Sequence, residues 1–480
     1  MSEEKSLRTT STVEEVRYTD GSEPLNQPSK QYFKGSRSHL RMSSAVSTAP
    51  REDNKLRIED RAAHDWYRFV LSYPAHLVRD YISRLEVDPE GLVLDPFCGT
   101  GTTLVECKKL GIRSVGIESN PMASFASQVK VDWSVDPKGL LEHADHIANR
   151  TWEKLDAAGI ADSSHLPLFT KERKRVVELQ TLPFEKSSLL LKDSISPLPL
   201  HKTLVLIETL QEDLDQGFSQ HERLALAKAI VSGISNLHFG PEVGVGPPKP
   251  DAAVVQTWLN YVRRMAEDLR DLGPIGDTQA TVKTGDSREL LSLLQPNSVD
   301  AVITSPPYPN EKDYTRTTRL ESVLLGFINN KHELRLLKKS LLRSNTRGVY
   351  KADTDDLLVE SNGEVQRIAN DIETRRIELG KTSGFERMYA RVTKLYFGGM
   401  KRHLSDLRTI LRPGAHLGYV VGDQASYLRI MIRTGEILAD IAKSLGYELV
   451  DIDLFRTRLS TATKEQLREE IVLLRWSGKS

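Results

Sequence analysis

Short apolar runs alternate with amphipathic stretches along most of this chain, the rhythm of a mainly parallel sheet covered by helices. Leu92-Val93-Leu94, Ser114 to Ile117, Ala280 to Thr284, Val299 to Ile303 and Leu417 to Val421 each read as a strand. Tyr447 to Arg456 and Glu470 to Trp476 read as a closing strand pair. Helical spacing spans about Thr102 to Leu110, resumes after Pro121, and recurs at Tyr389 to Leu411 and Ile430 to Leu445. Arg412-Pro413-Gly414 is a helix-stop signal. Upstream, Trp66, Phe69, Val70, Leu77, Val78, Tyr81 and Ile82 lie on helical faces interrupted at Tyr73-Pro74, so a broken helix precedes the first strand.

The sheet rhythm is interrupted twice. Residues 135–276 turn mostly helical around a Pro/Gly-rich loop, Gly240 to Pro250, and residues 331–388 form a second helical excursion. The expected core is therefore discontinuous, with a cofactor-binding part over 53–134, a catalytic part over 277–330 and closing strands and helices over 389–480. Residues 1–52 carry too few apolar side chains to offset the entropy of ordering and read as a flexible polar tail.

Composition narrows the class. At 480 residues, 39% hydrophobic and 28% charged, the chain can bury a large core and resembles soluble proteins in composition. It has no run near the roughly 20 apolar residues that span a bilayer and no secretory signal pattern, so the cytoplasm is the default location. Lys plus Arg and Asp plus Glu balance at 66 each, so any nucleic-acid binding must come from a local basic face. The two cysteines, Cys98 and Cys107, cannot build a disulfide framework, and the 12 histidines lack ligand spacing; no metal site is indicated.

Chemistry concentrates at two strand ends. After the first strand comes Asp95-Pro96-Phe97-Cys98-Gly99-Thr100-Gly101-Thr102-Thr103. Such a turn lets backbone approach a ligand and aims free helix amides at it, although the same glycines can serve only to pack helix on sheet. No Lys-Ser or Lys-Thr follows, which removes a Walker-type phosphate site. Glu118 ends the next strand about 20 residues on, where an acid meets a ribose in nucleotide-type sites. Far downstream, Thr304-Ser305-Pro306-Pro307-Tyr308 follows a buried strand. Two prolines fix that backbone and remove N–H donors, so the turn presents acceptors.

Together these segments resemble the paired signatures of the S-adenosylmethionine-dependent DNA amino-methyltransferases, the N4-cytosine and N6-adenine type. The resemblance implies a Rossmann-like class I methyltransferase fold, with a mainly parallel seven-stranded sheet, an antiparallel last strand and helical insertions. It further implies that Asp95 and the Gly99 and Gly101 backbone hold the methionine part of S-adenosylmethionine, with Phe97 against the adenine, Glu118 on the ribose, Asp286 on the adenine amino group, and Pro96 and Thr102 also in the cofactor site. Tyr73 and Pro74 resemble the family's segment that closes over the methionine end.

An exocyclic amine is a weak nucleophile because its lone pair is delocalised into the ring. Ser305 Oγ and the Pro306 carbonyl are the acceptors assigned to localise it, with Pro307 fixing the turn and Tyr308 stacking on a flipped base. Ser in the first position is closer to the cytosine-N4 members. Adenine N6, an RNA guanine methyltransferase and a catalytically silent DNA-binding subunit remain rivals. Covalent attack on the pyrimidine ring is disfavoured because neither cysteine lies in a suitable loop.

For duplex DNA, Arg316 and Arg319 in the loop after Tyr308 suit phosphate contacts, or that loop merely caps the core. Lys338, Lys339 and Arg343 belong to a basic run, Lys331 to Lys351, expected on the DNA backbone. Segment 135–276 is the favoured target-reading region, with 331–388 competing. The family also implies a role in DNA modification beside a cognate restriction endonuclease.

Overall fold

The apolar runs become strands wherever both faces can be covered. A computed structural model describes residues 56–68, 72–162, 178–239, 242–310, 312–459 and 464–478; the tail expected over 1–52 lies outside them. In chain order the strands are β1 (Leu92–Asp95), β2 (Arg113–Glu118), β3 (Leu237–Phe239), β4 (Val243–Val245), β5 (Ala280–Thr284), β6 (Val299–Thr304), β7 (Leu411–Gly422), β8 (Glu448–Leu459) and β9 (Gln466–Arg475). Seven form one sheet in the order β5-β2-β1-β6-β7-β9-β8, and β3 pairs separately with β4.

All neighbours from β5 to β7 are parallel, whereas β9 runs antiparallel to both β7 and β8. The short connection between β8 and β9 can join only antiparallel strands, which reverses the last one. This is the Rossmann-like sheet expected from the two motifs. Strand order turns round between β1 and β6, so their carboxyl ends open a crevice of the kind where α/β sheets bind ligands.

Apolar layers cover both faces. One contains Leu94, Ile117, Val302, Leu417 and Tyr419 with helix Tyr389–Ile410; the other holds Val93, Ala301 and Ile303 under helix Ala75–Arg84. Pro74 stands at that helix's N-cap in extended conformation, so the break at Tyr73-Pro74 is a helix start. The first insertion packs helices Pro137–Ala157, Pro197–Glu212, Ser219–Ala229 and Val254–Leu272 around the fully buried Trp258. Its core is continuous with Leu104, Val105, Met122 and Phe125 on the helices beside the sheet, so it extends the sheet's helical layer.

Some boundaries differ from the sequence pattern. β7 starts at Leu411 and runs through Pro413-Gly414, with Gly414 at φ 91° and a register shift between Val299 and Ala301 on its partner. The left-handed glycine lets the chain pass from helix to strand without a separate loop. The last helix is shorter, Thr434–Ser444, because Ile432 pairs with Gln424 in an isolated bridge. The Gly/Pro-rich loop contributes β4, which pairs back to β3 just before the loop in a hairpin anchored by Asn236, whose Oδ1 accepts from the Lys249 amide at 2.8 Å.

Candidate active site at the sheet crevice

Asp95, at the end of β1, joins the two signature segments. Its Oδ1 accepts from Thr304 Oγ1 at 2.6 Å and from the Phe97 amide at 3.1 Å; its Oδ2 accepts from Thr103 Oγ1 at 2.6 Å and from Tyr73 Oη at 3.1 Å. The carboxyl is completely buried, which pushes its pKa up against the opposing pull of these four bonds. The segment ending in Pro74, the Gly-rich turn and the end of β6 thus share one carboxylate. The sequence expectation put Asp95 directly on the cofactor; here it holds the walls in register.

The turn above it needs its glycines. Gly101 stands at φ 82° immediately before helix Thr102–Lys109, and a Cβ there would collide with Ser127 Oγ. Glu118 Oε2 accepts from the Gly99 amide at 2.9 Å and Oε1 from the Asn120 amide at 2.7 Å. Burial raises the Glu118 pKa to about 7 despite these donors. A carboxylate has about four acceptor positions, so two amides leave capacity for a ligand's hydroxyls. The Thr100 hydroxyl beside it is buried with no partner among the described residues. These groups fit a cofactor with a ribose diol, and S-adenosylmethionine is the one the sequence implies.

Asp286 departs from its expected part. Arg288 forks it, Nε to Oδ1 at 2.9 Å and Nη2 to Oδ2 at 2.6 Å, while Arg288 also reaches Asp355 and the Lys339 carbonyl. Four contacts from Arg288, the amide and Nε on Oδ1 and Nε and Nη2 on Oδ2, take up the acceptor positions of the carboxylate, so a contact to an adenine amino group would have to compete with them. Phe97 does line the site, its ring edge-on to His403 at 5.0 Å between centroids. His403 is fixed between the Ser287 carbonyl and Tyr419 Oη, each at 2.7 Å, and burial lowers its pKa to about 4, so it is neutral.

Ser305, Pro306, Pro307 and Tyr308 follow β6 directly and stand next to the Asp95 cluster through Thr304. Burial, with the Glu469 carboxylate nearby, pushes the Tyr308 phenol pKa upward. The Tyr308 ring lies against the end of β7, where a Cβ on Gly422 would come 2.9 Å from Cε2 and 3.3 Å from Cδ2.

The five basic residues expected on DNA divide sharply. Arg319 is buried and spends its guanidinium on Thr315 and the Leu189 carbonyl. Arg343 is buried too, forked by Asp353 through Nε and Nη2 at 2.9 Å each. Neither is presented for phosphate contact, a correction whose cause is local carboxylates and carbonyls that the linear charge pattern conceals. Lys338 is ion-paired with buried Asp313 at 2.8 Å; Arg316 lies 3.9 Å from Glu242 and is partly exposed; Lys339 is exposed.

Four contributors escaped the sequence reading. Thr103 and Thr304 stood inside the motifs, but their shared acceptor was invisible. Gly422 had only its strand-end position as a signal. Lys130 had none: it is buried and donates to the Thr100 carbonyl at 2.7 Å, its pKa pushed down to about 7 by burial and by Arg68, Lys109 and Lys228.

A seven-stranded sheet of this order, with a Gly-rich turn on β1, an acid on β2 and an acceptor turn on β6, defines a Rossmann-like class I methyltransferase. Sequence comparison refines the class. A model of the N6/N4 DNA methylase family matches residues 6–127. The chain is 25% identical over 441 residues to the type II methyltransferase M.BsoBI of Geobacillus stearothermophilus, covering 87% of this chain and 85% of the relative. It is 23% identical over 436 residues to M.AvaI of Nostoc sp., covering 85% and 83%. A shorter match, 36% identical over 99 residues, covers 21% of this chain and 17% of M.MjaII of Methanocaldococcus jannaschii. These matches support a place in the N6/N4 DNA methylase family and an enzymatic role in DNA methylation.

Proposed function

We propose that this enzyme methylates the exocyclic N4 of cytosine in duplex DNA, using S-adenosylmethionine, as the modifying partner of a restriction endonuclease in a bacterial cytoplasm. The observation that carries the reading is the Ser305-Pro306-Pro307-Tyr308 turn tied through Thr304 to the Asp95 cluster of the cofactor turn. The similarity to two type II methyltransferases over most of the chain supports the biological setting.

When bound, S-adenosylmethionine supplies an electrophilic methyl group. Glu118 and the Gly99–Gly101 turn hold its ribose and methionine parts, and Phe97, backed by His403, offers an apolar wall. Ser305 Oγ and the Pro306 carbonyl accept hydrogen bonds from the amine of an extruded base, which draws its lone pair out of conjugation. Tyr308, on the same turn as Ser305, gives the base a flat surface. Cys98 and Cys107 are buried, and burial raises both thiol pKa values, so neither serves as a ring nucleophile.

Methylated DNA digested to nucleosides and analysed by mass spectrometry tests the reading. N4-methylcytosine is expected. Finding 6-methyladenine would replace it with the adenine reading, and methyl transfer to tRNA but not DNA would establish an RNA enzyme. Failure of the purified protein to bind S-adenosylmethionine in calorimetry would leave a silent DNA-binding subunit.

A further inference from the structure

We infer that duplex DNA is gripped along its phosphate backbone by a stripe of unpaired cations, Lys331, Arg335, Lys339, Arg347 and Lys351, built onto the loop that follows the catalytic turn. This rests on the DNA-methyltransferase reading and adds the surface that holds the substrate.

Lys331, Arg335 and Lys339 recur every four residues on helix Lys331–Ser340, so they share one face, and all three are exposed. The opposite face is seated by buried Leu337 against Leu189, Val323 and Ile328. Arg347 and Lys351 are exposed in the segment that follows. None of the five has a carboxylate within ion-pair distance among the described residues, unlike Lys338 with Asp313 and Arg343 with Asp353. Glu333, the acid on this helix, is occupied by the Asn329 amide at 2.8 Å and by both Asn329 and Asn330 side chains.

The stripe has aromatic support. The Tyr350 ring lies 5.6 Å from the Arg335 guanidinium and 5.9 Å from Lys339 Nζ, and Arg347 stands 5.7 Å from the exposed Phe385 ring. Such contacts hold long cationic side chains in place while leaving their charge uncompensated by a carboxylate. Four helical residues rise about 6 Å, so Lys331 to Lys339 spans about 12 Å. That matches three to four nucleotides of one strand at about 3.4 Å each.

Its position relative to the reacting atoms is also fixed. Lys338 holds Asp313, Asn345 Nδ2 donates to the Lys312 carbonyl at 3.0 Å, and these loop residues follow Tyr308 closely in sequence. On the cofactor side, Ser119 Oγ donates to the Ser340 carbonyl at 3.1 Å and Arg288 to the Lys339 carbonyl at 3.0 Å. The C-terminal end of the basic helix is therefore tied both to the catalytic loop and to the residues beyond β2 and β5. The buried pairs act as struts, and the unpaired cations face solvent.

The test is duplex binding by the full chain, followed by fluorescence anisotropy from 50 to 200 mM salt. Replacing Lys331, Lys339 and Lys351 with Gln is expected to reduce the salt slope by about 2 to 3 and to weaken binding at 50 mM salt at least tenfold, since each phosphate contact contributes roughly 0.9 to the slope. S-adenosylmethionine affinity should stay unchanged, and Arg at the same three positions should restore the slope. A control with Arg84, Arg412 and Lys443 changed to Gln, each paired with a carboxylate and outside both insertions, alters net charge equally. An unchanged slope in the stripe variant, or an equal loss in the control, overturns the stripe while leaving the methyltransferase reading intact. Wild-type protein that binds no duplex overturns both.

Discussion

Replacing Gly422 with Ala tests whether the position of the Tyr308 ring governs methyl transfer. The added methyl would lie 2.9 Å from Tyr308 Cε2, 3.3 Å from Cδ2 and 3.4 Å from Glu469 Cγ. Carbon atoms pack best at about 3.5–4.0 Å, so ring or strand must yield by roughly 0.6–1 Å. The strand is held on one side by the pairing of Gly422 with Glu469, so the ring takes most of the displacement. Ser305 stands three residues before Tyr308 on the same proline-fixed turn, so the shift passes to the proposed acceptor of the base amine. A misplacement near 1 Å can cost on the order of 100-fold in rate. Single-turnover transfer of labelled methyl, at saturating DNA and cofactor, should fall about 10- to 100-fold. Cofactor affinity in calorimetry should change less than about twofold, because the Asp95 and Glu118 contacts lie away from Gly422; overpacking should cost about 1–3 kcal/mol of stability. A wild-type rate constant for folded Gly422→Ala would refute the reasoning, as would a loss confined to cofactor binding.

Two further predictions concern the cofactor turn. Glu118 has a pKa of about 7 in the fold against an ordinary value near 4.5, so the folded protein binds its proton more tightly than the unfolded chain does. Its contribution to stability is present below about pH 4.5 and lost as pH rises through about 7. Cofactor affinity should run the opposite way, rising from pH 6 to pH 8 as the carboxylate forms to accept ribose hydroxyls; calorimetry should show this trend, and Glu118→Gln should weaken binding and flatten it. Lys130→Met removes the ammonium from the Thr100 carbonyl and should raise the cofactor dissociation constant about tenfold with little change in saturated turnover. Because burial lowers the Lys130 pKa to about 7, the wild type gains stability from pH 7 towards pH 10. The Met variant should lack that gain in thermal unfolding, and an unaltered pH profile would remove Lys130 from the account.

Legibility followed the range of the interaction. The strand ends bearing Asp95, Glu118 and Ser305 could be located because strand period, glycine freedom and proline rigidity are properties of a few consecutive residues. The Asp286–Arg288 fork was hidden although the partners are two residues apart, since geometry decided that the guanidinium turns back on the carboxylate. The basic run was visible as a run, yet charge counting could not distinguish Arg343, buried with Asp353, from exposed Lys339. Ion pairing depends on distance in space, and desolvation depends on what packs above the pair.

Local pattern by itself determined the class of sheet, the two signature turns and the interruptions between them, because backbone hydrogen bonding and apolar burial have fixed short periods. Tertiary structure decided that Asp95 clamps Tyr73, Thr103 and Thr304 together, that Gly422 must lack a side chain beneath Tyr308, and which cations remain free for phosphate. Those outcomes belong to residues far apart in the chain. They exist only once folding places one group's acceptor, or one group's bulk, within a few ångströms of another.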